Sequence, residues 1–111
     1  SAKIFDRSWA ATVIGEATRR LRKDYASRKK LEVFEAMKGC LDGSLSTDRY
    51  LELAGRLGMT RQTFEVNLSR FKDSFGKAVR SVIAETVESS EINDEIKYLM
   101  AAWAAYLNEK L

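Results

Sequence analysis

Histidine and proline are both missing from this chain of 111 residues, and cysteine occurs once. Without histidine the chain lacks the commonest general base near neutral pH, any His-based triad and the usual zinc sites. Without proline, and with little strand-type alternation, the chain should be almost entirely helical, and an all-α fold is expected. Cys40 has no partner for an internal disulfide, and its position after Gly39, at the end of a helical pattern, reads as packing. No uninterrupted apolar run approaches the roughly 20 residues of a membrane helix, and the N-terminus has no signal-peptide core. A cytoplasmic protein without a membrane partner is therefore expected. A glycine-rich phosphate loop and a metal-ligand set are also lacking, and Asp94 and Glu95, adjacent on a helix, point in different directions. Catalysis is not expected, and neither a cofactor nor a metal is implied.

With 45% apolar and 32% charged residues, the chain suits a single small domain over 1–111 with a modest core. The net charge of +3 is unevenly spread: residues 1–45 hold ten Lys/Arg against six Asp/Glu, residues 46–80 seven against four, and residues 81–111 two against six. The first two-thirds can face phosphates and the last third cannot. Each single charge, taken alone, also fits a solvated helix face.

Periodicity predicts about five helices. A first, over about 7–25, follows Asp6 as a cap and spaces Trp9, Val13, Ala17, Leu21 and Tyr25 four apart on a buried stripe. Arg19, Arg20, Arg22 and Lys23 fall in its last turns, where they either complement the helix dipole or meet phosphate. Ser27 to Lys30 is a short basic connection. A second helix, about 30–41, buries Leu31, Phe34, Met37 and Leu41, and Asp42-Gly43-Ser44 ends it with turn chemistry. A third, about 47–57, follows Ser46 or Thr47 as a cap. A fourth begins after Thr60 and continues to about Val87, with a bend or break expected at Gly76, where glycine costs about 1 kcal/mol relative to alanine. A fifth, over about 91–109, presents Ile92, Ile96, Leu99, Trp103 and Leu107, flanked by Met100 and Tyr106. Packing onto the domain is the plain reading of that stripe. Ile96, Met100, Trp103, Tyr106 and Leu107 are also candidates for contact with a protein partner.

The third and fourth helices stand out. Leu53, Ala54 and Leu57 share one face, Gly58 allows the left-handed residue that ends a helix, Thr60 caps the next, and Phe64, Leu68, Phe71 and Phe75 repeat along its inner side. These are the requirements of a helix-turn-helix over about 47–75, whose second helix commonly enters the DNA major groove. The outward face then carries Arg61, Gln62, Glu65, Val66, Ser69 and Arg70. Arg70 has the geometry for guanine and Gln62 for adenine, with Thr60 at the helix start, while Arg49, Lys72 and Lys77 read as backbone anchors.

The stretch YLELAGRLGMTRQTFEVNLSRFKDSFGKAVRSVIAETV, preceded by FDRSWAATVIGEATRRLRKDY and LEVFEAMKGCL and followed by DEIKYLMAAWA, resembles the C-terminal region 4 of extracytoplasmic-function sigma factors of bacterial RNA polymerase. The likeness is to the group common in Planctomycetes. It implies a sigma region 4-like DNA-binding domain whose fourth helix reads the minus-35 element of double-stranded promoter DNA. It also implies a hydrophobic dock for the polymerase beta-flap and, as a second partner, an anti-sigma or other inhibitory protein. Nothing in the sequence corresponds to the preceding region 2, which melts the minus-10 element. The chain departs from the family in carrying Glu65 where many relatives have a basic residue, and Thr63 to Ser69 holds no positive charge. The competing expectations are a helical protein-interaction module that keeps the fold with little DNA binding, and a dimeric repressor fragment.

Overall fold

The computed structural model describes residues 7–89 and 101–103, with side chains from 10 to 86 and at 101–103. Helix α1 spans Arg7–Ser27, α2 Leu31–Met37, α3 Thr47–Arg56 and α4 Arg61–Ser89, with a 3₁₀ turn at Lys38–Cys40 directly after α2. Residues 101–103 are also helical. Among the described residues there is no strand, so the chain is all-α as its composition predicts. Among them, too, no helix is long and apolar enough to cross a membrane.

The chain falls into two compact units. One comprises Ser1–Leu21 with Phe75–Leu111, the other Arg22–Ser74. In the first, the described core is Val13, Ala17 and Leu21 from α1 and Phe75, Val79, Val82 and Ile83 from α4. Arg20 ties the two stretches by pairing with Glu85 while also holding Glu16 one turn back. The cap at Asp6, the side chain of Trp9 and the calls on Ile92, Ile96, Leu99, Met100, Tyr106 and Leu107 lie outside the described residues.

The second unit is organised around aromatic rings. Tyr25, Phe34 and Phe71 pack mutually, with centroids 5.5 Å apart for Tyr25 and Phe71 and 5.8 Å for Phe34 and Phe71. Phe34 and Phe71 are 2% and 0% exposed, and burying a ring of this size contributes about 2–3 kcal/mol from surface removal alone. Tyr50 of α3 lies against Phe64 of α4, centroids 5.7 Å apart, a pairing that the spacing of Leu53 and Ala54 did not reveal.

Three expectations need correction. The helix over 30–41 is shorter and ends in the 3₁₀ turn, because that tighter winding brings Cys40, not Leu41, onto the inner side. Leu41 is half-buried. Helix α4 runs unbroken through Gly76, which is itself buried on the helix that buries Phe75 and Val79, so tertiary packing overrides the propensity cost. Helix α1 extends past Tyr25 to Ser27, so Arg19, Arg20, Arg22 and Lys23 are not in its last turn. Three of the four are spent on carboxylates: Arg19 and Arg20 on Glu16, and Arg22 on Glu35 at 3.5 Å.

Candidate functional site

Helices α3 and α4 are joined by a turn built from backbone hydrogen bonds. The Met59 N–H donates to the Ala54 carbonyl at 2.9 Å and the Gly58 N–H to the Gly55 carbonyl at 3.1 Å, a pair of bonds that closes a helix when the residue between adopts a left-handed conformation. Gly58 does so, with φ +67°. Upstream, the Ser46 hydroxyl accepts the Arg49 N–H at 3.2 Å and caps α3. Downstream, the Thr60 hydroxyl accepts the Thr63 N–H at 3.1 Å and caps α4. Both α3 ends and the start of α4 are thus fixed by the residues that the sequence marked for the task.

The cap sets the rotation of α4. Phe64, Leu68, Phe71 and Phe75 are buried, and Arg61, Gln62, Glu65, Val66, Ser69 and Arg70 are all exposed. Val66, at 47% exposure, is a large apolar side chain held in water on the same face as the polar ones. Within that face Arg61 Nε donates to a Glu65 carboxylate oxygen at 3.1 Å, both side chains being about half exposed. The positive end of the face is therefore partly neutralised by its own acid. Arg70, one helical turn further on from Val66, has no ion-pair partner among the described residues.

The other expected contacts are distributed. Thr60 is exposed but engaged as the cap, and Lys72 is half-buried on α4. Lys77 is exposed and belongs to the unit that contains Phe75–Leu111, whereas the outward face of 61–70 belongs to the unit Arg22–Ser74. Arg49 is half-buried and paired with Glu52 at 2.7 Å, which also receives Arg56. These two arginines depress the Glu52 carboxyl below its ordinary range, Arg49 more strongly. Of the partner candidates, Trp103 is half-buried, and Ile96, Met100, Tyr106 and Leu107 lie outside the described residues.

Two cavities in the unit Arg22–Ser74 went unread in the sequence. The larger, about 690 Å³, is a groove between α2 with its 3₁₀ turn and α3. Leu31, Ala36, Leu45, Leu53 and Leu57 give it an apolar floor, and Glu32, Glu35, Lys38, Arg49 and Arg56 are among its charged lining. Leu57, expected inside with Leu53, is half-buried and faces this groove. The smaller, about 340 Å³, is a polar recess lined by residues of α1, its following turn, α2, the α3–α4 turn and α4. Its cations come partly from the basic connection Arg28-Lys29-Lys30, the one sequence signal that pointed to it.

Chemically, the exposed face of α4 offers hydrogen-bond donors and acceptors suited to base edges, and the groove offers an apolar bed suited to a helix. Comparison with family models, curated proteins and solved structures returns no match to this chain.

Proposed function

We propose that this chain is a promoter-recognition domain of the extracytoplasmic-function sigma type, which reads the minus-35 element through α4 and docks on the polymerase beta-flap through its apolar groove. In this reading α3, its turn and α4 form a helix-turn-helix, and the domain has no catalysis of its own. The observation that carries the proposal is the state of α4: capped by Thr60, pinned by buried Phe64, Leu68 and Phe71, and exposing the same six side chains that the resemblance assigns to the groove-facing side. A rigidly held helix with a polar, solvent-facing N-terminal half is what major-groove reading requires.

Arg70 is assigned to a guanine edge and Gln62 to adenine, with Arg61, Glu65, Val66 and Ser69 completing the face. Lys72, Lys77 and Arg49 are assigned to phosphates, which set position without choosing sequence. The groove between α2 and α3 is the hydrophobic dock that the resemblance implies, and a protein covering it would inhibit. Tethering to polymerase raises the effective concentration of a domain that binds DNA weakly alone.

The Arg61–Glu65 pair favours a second reading, a helical interaction module with little DNA binding, because it lowers the positive potential of the face. The two readings separate by selection from a pool of random duplexes, with the domain alone and fused to the beta-flap. A recovered motif that loses enrichment in Arg70→Ala, at a cost of about 1–3 kcal/mol, supports promoter reading. Lys77→Ala should weaken all duplexes alike and flatten the salt dependence. No motif in either format, with tight capture of a groove-binding protein, makes the interaction module correct.

A further inference from the structure

The polar recess beside the α1–α2 turn is unused by the roles assigned above, although Arg70 reaches it. Arg28, Lys30 and Arg70 line it against one carboxylate, Asp73, and Asn67 adds an amide. Asp24 pairs with Arg28 and Asp73 faces the other two cations, so positive charge is still in excess around this recess of about 340 Å³, which favours entry of an anion.

The turn that builds the recess is specific. The Lys29 N–H donates to the Ala26 carbonyl and the Lys30 N–H to the Tyr25 carbonyl at 2.8 Å, while Lys29 holds a left-handed φ of +59°. This conformation is costly for a residue other than glycine. It reverses the chain so that Arg28 and Lys30, two positions apart, line the same cavity. The Arg28 guanidinium sits 4.6 Å from the Tyr25 ring centroid and gives one bond, 2.9 Å, to Asp24. Among the described residues, that bond engages one of its five N–H donors, and the others can serve a further acceptor. Stacking and the Asp24 bond together hold the cation in a defined position, so less conformational freedom is lost when an anion binds.

We propose that this recess is a phosphate site for the backbone of the duplex that α4 reads, with Arg28 and Lys30 as the anchors. The inference rests on the DNA-binding reading of α4. Arg70 links the two, since it belongs both to the exposed face of α4 and to the wall of the recess. A backbone strand running past the C-terminal part of that face meets the recess next. Arg28 and Lys30 fix register there, and sequence is chosen elsewhere.

The test measures equilibrium binding of the full chain to a duplex carrying the selected motif and to a scrambled duplex, from 50 to 200 mM salt. Arg28→Ala/Lys30→Ala is compared with wild type and with Arg19→Ala/Lys23→Ala, which removes two cations outside the recess. Both Arg28 and Lys30 are exposed, and Arg28→Ala gives up only the Tyr25 stacking and the Asp24 bond, so circular dichroism should show unchanged helix content and a melt lowered by a few degrees at most. The recess variant should weaken both duplexes by the same factor, lower the log–log salt slope by about 0.9 per phosphate lost, and leave the preferred motif intact. Arg28→Lys/Lys30→Arg should restore the slope. A slope equal to that of the Arg19→Ala/Lys23→Ala control overturns the phosphate site while motif recovery sensitive to Arg70→Ala leaves the promoter reading standing. Wild type that binds neither duplex, alone or fused to the polymerase beta-flap, overturns both.

Discussion

Glu65 decides how much positive charge α4 can show. Its bond to Arg61 links residues four apart with the arginine on the N-terminal side, the less favourable order on a helix, and both groups are half exposed. Such a pair contributes a few tenths of a kcal/mol at most. Glu65→Gln should therefore leave the melting transition nearly unmoved. It should also free the Arg61 guanidinium and remove a charge that repels phosphate, so affinity for duplex DNA at low salt rises and the log–log salt slope steepens by up to about 0.9. Titration of labelled duplexes at two salt concentrations checks this, and unchanged affinity would place Arg61 outside the interface. Neither the pair nor its consequence is legible from spacing alone, because Arg61 and Glu65 also read as independent solvated charges.

At the level of elements, the helix ends were the most legible part of the chain. Ser46, Gly58 and Thr60 carry side-chain or backbone chemistry that has few uses other than starting or stopping a helix, and each does so here. Lys29 carries no such mark. It occupies the left-handed closing position of α1 that glycine fills at Gly58. Lys29→Gly should stabilise the fold by about 1 kcal/mol in urea denaturation, since the backbone strain disappears and the side chain is exposed. Gly76 misleads in the opposite sense: local propensity predicts an interruption, and packing of Phe75, Val79 and Val82 keeps α4 continuous. A β-carbon at Gly76 would meet Arg80 Nη1 at 3.4 Å, an ordinary contact with the end of a flexible side chain. Gly76→Ala should add about 1 kcal/mol of stability, and the same denaturation experiment reads it. The groove and the recess were not legible because each joins residues from separate elements, and periodicity places residues on faces without saying which faces meet.

Across the whole molecule, the lack of histidine shapes the response to pH. Arg19 and then Arg20 hold the Glu16 carboxyl down to about 2, and Lys38, Arg49 and Arg20 are the leading causes that depress Glu35, Glu52 and Glu85. A carboxyl whose folded pKa lies below its unfolded value adds stability that is complete above the unfolded value and lost as pH falls through the folded one. Thermal melts should accordingly be flat between about pH 5.5 and 8 and fall from about pH 4.5 towards 2, with a smaller fall in high salt because these groups are exposed. A step near pH 6 to 7 would contradict this. Cys40 records a different kind of opening. Its side chain is 0% exposed, its Sγ lies 3.7 Å from the Ala36 carbonyl oxygen, and burial pushes the thiol pKa up. Alkylating reagents therefore reach it through transient loosening of the α2 end, and the labelling rate becomes a clock for that motion. Since Lys38 and Gly39 beside it line the apolar groove, an occupant seated there should slow the clock, giving a one-atom reporter of docking that needs no engineered residue.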